Sequence, residues 1–145
     1  VDEGRSFVVA DIPGLIEGAH LGKGLGLQFL RHIERTKVLV FLLEATRGAL
    51  KEDLAVLTHE LQSYDKALPK KTSLIVISKI DVLSPAELAT IRKLKFGRLP
   101  VHHVSAVAGT GIPDLVLAMA RGLVKANRPK RRPREVPVHA GGKKA

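Results

Sequence analysis

Phe7-Val8-Val9-Ala10-Asp11-Ile12-Pro13-Gly14 is the stretch around which the chain is read. Phe7 to Ala10 form an apolar, largely β-favouring run, and Ile12-Pro13-Gly14 cannot continue it smoothly. Proline removes a backbone donor, and glycine frees the backbone to turn. The run therefore predicts a strand with a carboxylate, Asp11, at its C-terminal edge. Beside it a glycine N–H lets an anion approach closely. That pairing suits a hydrated divalent cation and a phosphate. Alone, Asp-x-x-Gly says little, since any strand that ends in a turn can carry it.

Working outward, residues 15–26 hold Gly18, Gly22, Gly24 and Gly26 and predict a mobile loop. Gly22-Lys23 imitates the end of a Walker phosphate loop, but Glu17 and Gly24 stand where that motif needs glycine and Ser/Thr. The Gly22-x-Gly24-x-Gly26 spacing likewise fails the dinucleotide fingerprint. Leu27 to Arg35 predicts a helix. Val38 to Leu43 and Leu74 to Ile77 are continuous apolar runs, as in strands buried on both faces. Between them, Leu54, Leu57, Leu61, Tyr64 and Leu68 recur at helical spacing over Lys51–Leu68. Ser84-Pro85-Ala86-Glu87 starts a helix reaching about Lys95: an N-cap serine, a proline in the first turn and a glutamate closing a capping box. Pro100 to Val104 predicts a short strand. Ile112 to Val124 predicts the last helix, with Ile112, Leu115, Val116, Met119 and Leu123 inward. Strands alternating with helices predict an α/β fold, a mostly parallel sheet flanked by helices.

Ligands of such sheets bind beyond the C-terminal strand ends. Three ends carry polar or small residues: Asp11-Ile12-Pro13-Gly14, Ser78-Lys79-Ile80-Asp81, and Ser105-Ala106-Val107. In that order they resemble the Asp-x-x-Gly, Asn/Thr-Lys-x-Asp and Ser-Ala motifs of translation-factor-type GTPases. The longer string of residues 11–36, Asp-Ile-Pro-Gly-Leu-Ile-Glu-Gly-Ala-His through Phe-Leu-Arg-His-Ile-Glu-Arg-Thr, resembles the switch II region of Obg-type GTPases, which are ribosome-associated P-loop proteins. The resemblance covers about Phe7 to Val124.

The resemblance implies a Ras-like P-loop GTPase fold, GTP or GDP as ligand, and Mg²⁺ held by Asp11 through a water. It implies that Gly14 N–H senses the terminal phosphate, that the Lys79 stem lies along the base, and that Ala106 N–H meets the guanine carbonyl. Ser105 would support Asp81. From its chemistry, the Asp81 carboxylate can accept from both the ring N–H and the exocyclic amine of guanine; adenine offers no such pair. At about 1.5–3 kcal/mol per charge-assisted bond, two such bonds discriminate by roughly a hundredfold or more. Ser78 stands where the family usually has Asn, an expected loss of roughly 1 kcal/mol. Leu15 stands where Ras-like proteins carry a water-orienting glutamine. No catalytic residue is assigned; His20, in the switch segment, either assists hydrolysis or is simply exposed.

The sequence contains no Gly-x-x-x-x-Gly-Lys-Ser/Thr. It begins Val-Asp-Glu-Gly without methionine or signal peptide, so the expectation is a partial GTPase domain over residues 1–125. Its phosphate-loop strand, first helix and switch I would then be missing. In the Ras-like strand order the missing first strand lies between Phe7–Ala10 and Val38–Leu43, which would leave apolar edges unpaired. Such a chain alone should bind GTP weakly or not at all.

Composition bounds the rest. Hydrophobic residues make up 45% of the 145 and aromatics 3%, so the core must be aliphatic. No run approaches the roughly 20 apolar residues of a membrane span. Zero cysteines exclude disulfides and thiolate metal sites, and fit a cytoplasmic protein. The six histidines show no metal-ligand spacing; adjacent His102 and His103 should point to opposite sheet faces. Net charge is +10, but from Arg121 to Ala145 nine Lys/Arg face only Glu135. Eight of the ten net charges therefore sit from Arg121 onward, and the chain before it is nearly neutral. Residues 126–145, with Pro129, Pro133 and Pro137, should form a disordered basic tail. Its expected partner is a ribosomal subunit or its RNA, through salt-dependent contacts without base specificity. A monomer is expected. The alternative is a catalytically inactive remnant, or a nucleic-acid-binding module acting through that tail.

Overall fold

The computed structural model describes residues 6–11 and 34–127. Three strands, β1 (Val38–Glu44), β2 (Thr72–Ser78) and β3 (Val101–His103), form one parallel sheet in the order β1-β2-β3. The β1–β2 register runs from Val38 beside Thr72 to Glu44 beside Ser78, and Ile75 lies beside Val101. Parallel neighbours require crossovers. Helix α1 (Leu50–Tyr64) joins β1 to β2, α2 (Pro85–Arg92) joins β2 to β3, and α3 (Ile112–Ala126) follows β3. This is the helix-flanked parallel arrangement that the alternating pattern predicts, and it agrees with the Ras-like fold that the resemblance implies.

Side chains alternate across a strand, and here that sorts the core into two layers. Leu39, Phe41, Leu43, Ile75 and Ile77 face α1, whose Leu50, Leu57 and Leu61 join them in one buried cluster. Leu88 and Ile91 of α2, with Leu94 just beyond it, pack against the same cluster. So does Phe96, a buried aromatic in the α2–β3 connection that periodicity does not single out. Helix α3 contributes nothing to that cluster, yet lies against β1 and β2. It therefore covers the opposite face, where Leu74 and Val76 are buried. Gly122 is its one buried residue, and the five apolar positions expected to face inward are half-buried.

Two expectations fail for one reason. Phe7–Ala10 is not a strand: it pairs with none of the three strands, and Val8 and Val9 are exposed. Apolar composition favours a strand, but only a neighbour's hydrogen bonds and side chains make one. Likewise β1 is fully buried on one face only, although α3 lies against the other. Val40 and Leu42 are 39% and 59% exposed because β1 is the edge of the described sheet.

Boundaries moved where local chemistry dictates. The helix expected over Lys51–Leu68 ends at Tyr64, and Leu68 is buried in a separate turn, Leu68–Lys70. Asp65 is extended at the helix end, and its Oδ1 accepts from Ala67 N–H at 2.8 Å. Helix α2 stops at Arg92 rather than Lys95. Its start follows expectation: Ser84 N–H donates to Glu87 Oε2 at 2.8 Å, and Glu87 N–H returns to Ser84 Oγ at 3.4 Å. The β2–β3 bonding spans the whole expected Pro100–Val104 run, since Ile75 N–H donates to Pro100 O and Val104 N–H to Ile77 O. Of the expected Leu27–Arg35 helix, residues 34 and 35 are helical and the rest lies outside the described residues. Lys71 Nζ donates to the Glu34 and Thr36 carbonyls at 2.9 and 3.0 Å, closing that end.

Candidate functional site at the strand ends

Strands β2 and β3 end side by side, and their loops are joined by backbone. Ile80 is buried, and its N–H donates to Val104 O at 3.3 Å. That bond places the Ser78–Asp81 loop against the Ser105–Val107 loop. Ser78 Oγ donates to Leu43 O at 3.1 Å, so this hydroxyl ties β2 to the end of β1. Lys79 adopts a left-handed conformation, φ 58°, which turns the chain sharply into the Ile80–Val82 turn. Asp81 lies in that turn with its carboxylate exposed.

The second loop is shaped by Ser105, a buried polar residue. Its N–H donates to Thr110 O at 3.0 Å, and its Oγ accepts from Ala108 N–H at 3.0 Å. Ser105 thus acts on its own loop, where support for Asp81 was expected. Ala106 and Val107 stand exposed at the tip. The loop closes at Gly111, φ 73°, the N-cap of α3, where a Cβ would collide with the His103 carbonyl. Only glycine fits there.

Glu44, at the end of β1, belongs to the same rim. Its Oε2 lies 3.0 Å from Lys79 Nζ, and its Oε1 accepts from Thr46 Oγ1 at 2.6 Å. The Thr46 hydroxyl, then the Lys79 ammonium, hold the Glu44 carboxyl below the usual carboxylate range. Sequence reading missed this residue, although it ends a strand just as Asp11, Ser78 and Ser105 were expected to do. On β3, His103 shares the core-side face with Ile77; burial pushes its imidazole pKa down, against the pull of the Ile91 carbonyl.

Asp11 is exposed on the unpaired segment, and Ile12, Pro13 and Gly14 lie outside the described residues. Mg²⁺ demands near-octahedral oxygen ligation. It usually keeps several waters and takes one or two carboxylates plus substrate phosphates, a set to which a single carboxylate such as Asp11 can contribute; among the described residues no three His, Cys, Asp or Glu side chains gather as an all-protein metal site would need. Nor is any helix among them long and apolar enough to cross a membrane.

A parallel Ras-like sheet with Asp-x-x-Gly, Ser-Lys-x-Asp and Ser-Ala in sequence order defines a P-loop GTPase architecture. The family model described as 50S ribosome-binding GTPase matches residues 1–79. GTPase Obg of Anaeromyxobacter dehalogenans (strain 2CP-C) is 49% identical over 136 residues, covering 88% of this chain and 38% of that protein. GTPase Obg of Salinibacter ruber is 47% identical over 119 residues, covering 79% and 35%. GTPase Obg of Desulfatibacillum aliphaticivorans is 41% identical over 133 residues, covering 90% and 39%. The chain belongs to the 50S ribosome-binding GTPase family and is of the Obg type. It spans less than two-fifths of the length of these relatives.

Proposed function

We propose that this chain is the guanine-selecting part of an Obg-type GTPase, which binds GTP with Mg²⁺ and hydrolyses it to GDP and phosphate as a switch in ribosome assembly. The observation that carries the reading is the Ile80–Val104 hydrogen bond, which sets the Asp81 and Ala106 loops side by side on one rim. Asp81 accepts from the ring N–H and exocyclic amine of guanine, while Ala106 N–H donates to its carbonyl oxygen. In the same reading Asp11, through a water, and the Gly14 N–H face the metal and the γ-phosphate. Gly18 to Gly26 report nucleotide state. Leu15 carries no group that orients a water, so hydrolysis uses another group or is slow. Without a phosphate loop in the sequence given, this chain by itself binds GTP more weakly than micromolar. The basic residues from Arg121 onward contact ribosomal RNA, and the protein works in the cytoplasm.

The test is base selection. Asp81→Asn replaces an acceptor with an amide whose NH₂ suits the second carbonyl of xanthine. Nuclear magnetic resonance titrations at millimolar nucleotide, following the Asp81 and Ala106 amides, should show preference moving from GDP to xanthosine diphosphate. Unchanged guanine preference in this variant rejects the assignment.

A further inference from the structure

The two oxygens of Glu44 are divided between two partners, the Thr46 hydroxyl and the Lys79 ammonium. Lys79 is also the one non-glycine residue with positive φ among the described residues. A side chain in that conformation is sterically strained, and such strain concentrates at ligand sites. Both partners are substantially exposed. An exposed ion pair adds little to stability, so packing does not explain a strained lysine held by a braced carboxylate.

Geometry gives the pair another use. The Lys79 backbone is fixed between Ser78 and the Ile80–Val82 turn that carries Asp81. Its ammonium is drawn back to the end of β1, where Glu44 lies beside Ser78 in register. The four methylenes therefore run between two held points on the rim. An anchored lysine stem is an apolar bar, whereas a released one samples many rotamers.

We propose that Glu44, braced by Thr46, is a positioning residue: it holds the Lys79 stem as a fixed apolar shelf for the face of the base whose edge Asp81 reads. The inference rests on the loops being a guanine site. Because Glu44 acts through the Lys79 ammonium, its contribution must vanish when that ammonium is gone, and it must not depend on the phosphates.

The experiment is a resonance titration of the 145-residue chain with GDP, guanosine and ADP, following the amides of Lys79 to Asp81 and Ser105 to Val107. Glu44→Gln should weaken GDP and guanosine alike by about threefold, with unfolding temperature unchanged. Glu44→Asp should keep most of the affinity, and Thr46→Val should lose a smaller part. Lys79→Met retains an apolar stem that nothing anchors, and adding Glu44→Gln to it should cost nothing further. Wild-type affinity in Glu44→Gln, or an equal loss in the Lys79→Met background, overturns the proposal while leaving the guanine site standing. A wild-type chain that binds GDP no better than ADP overturns the guanine reading itself, and this inference with it.

Discussion

Phe7-Val8-Val9-Ala10 and Leu74-Ile75-Val76-Ile77 are four-residue apolar runs of similar β preference, yet their surroundings are opposite. Val8 and Val9 are 94% and 66% exposed, whereas no residue of the second run exceeds 4%. The second run lies between two parallel strands, with α1 on one face and α3 on the other. The first pairs with none of the three strands. β1 stands between these extremes, paired on one edge, fully buried on one face and only partly covered on the other. The comparison teaches that a strand is a property of a neighbourhood: each added neighbour removes one exposed edge or face, and propensity alone removes none.

The largest effect should come from breaking that contrast at its buried end. Ile75→Ala opens a cavity beneath α1 and should cost about 2–5 kcal/mol in urea unfolding. The matching Val9→Ala change should stay within about 0.5 kcal/mol. Equal costs at the two positions would mean that Phe7–Ala10 is packed after all.

A second contrast, between two left-handed glycines, sharpens the same idea at the site. Gly111→Ala meets the His103 carbonyl, whereas a Cβ at Gly109, φ 70°, meets nothing within 4 Å. The first should destabilise by about 2–3 kcal/mol and the second by about 1 kcal/mol, the conformational strain alone. Thermal unfolding checks both, and shifted Ala106 amides should accompany only the first.

The smallest effect belongs to an element that its sequence nearly specifies. Ser84→Ala removes the α2 cap and should cost about 1 kcal/mol. Hydrogen bonds from Ser84 hold the Glu87 carboxyl below its ordinary range. A depressed folded-state pKa stabilises above the ordinary glutamate range and loses that stabilisation as pH falls through the folded value. Unfolding measured from neutral to acid pH should therefore lose less stability in Ser84→Ala than in the wild type. Identical acid profiles would show that the capping box is not formed in solution.

Legibility followed the range of the forces involved. The α2 start was readable because Ser84, Pro85 and Glu87 satisfy one another within four residues. Strand β2 and the strand-end positions of Ser78 to Asp81 and Ser105 to Val107 were readable because a buried parallel strand leaves a continuous apolar run that stops where polar residues begin. The Glu44–Lys79 pair was not readable, since the two residues lie far apart along the chain and only the β1–β2 register brings them together. The exposed face of β1 was not readable either, because Val40 and Leu42 are as apolar as Val76.

Sequence by itself determined the alternation of strands and helices, the order of the three motifs, the capping box and the concentration of charge in the tail. These depend on residue type and on spacings shorter than a turn or two. Tertiary structure alone decided which apolar runs became strands, which strand face was covered, and that Glu44 holds Lys79 beside Asp81. Those outcomes depend on contacts between residues distant in sequence, which exist only once parallel pairing has fixed the register.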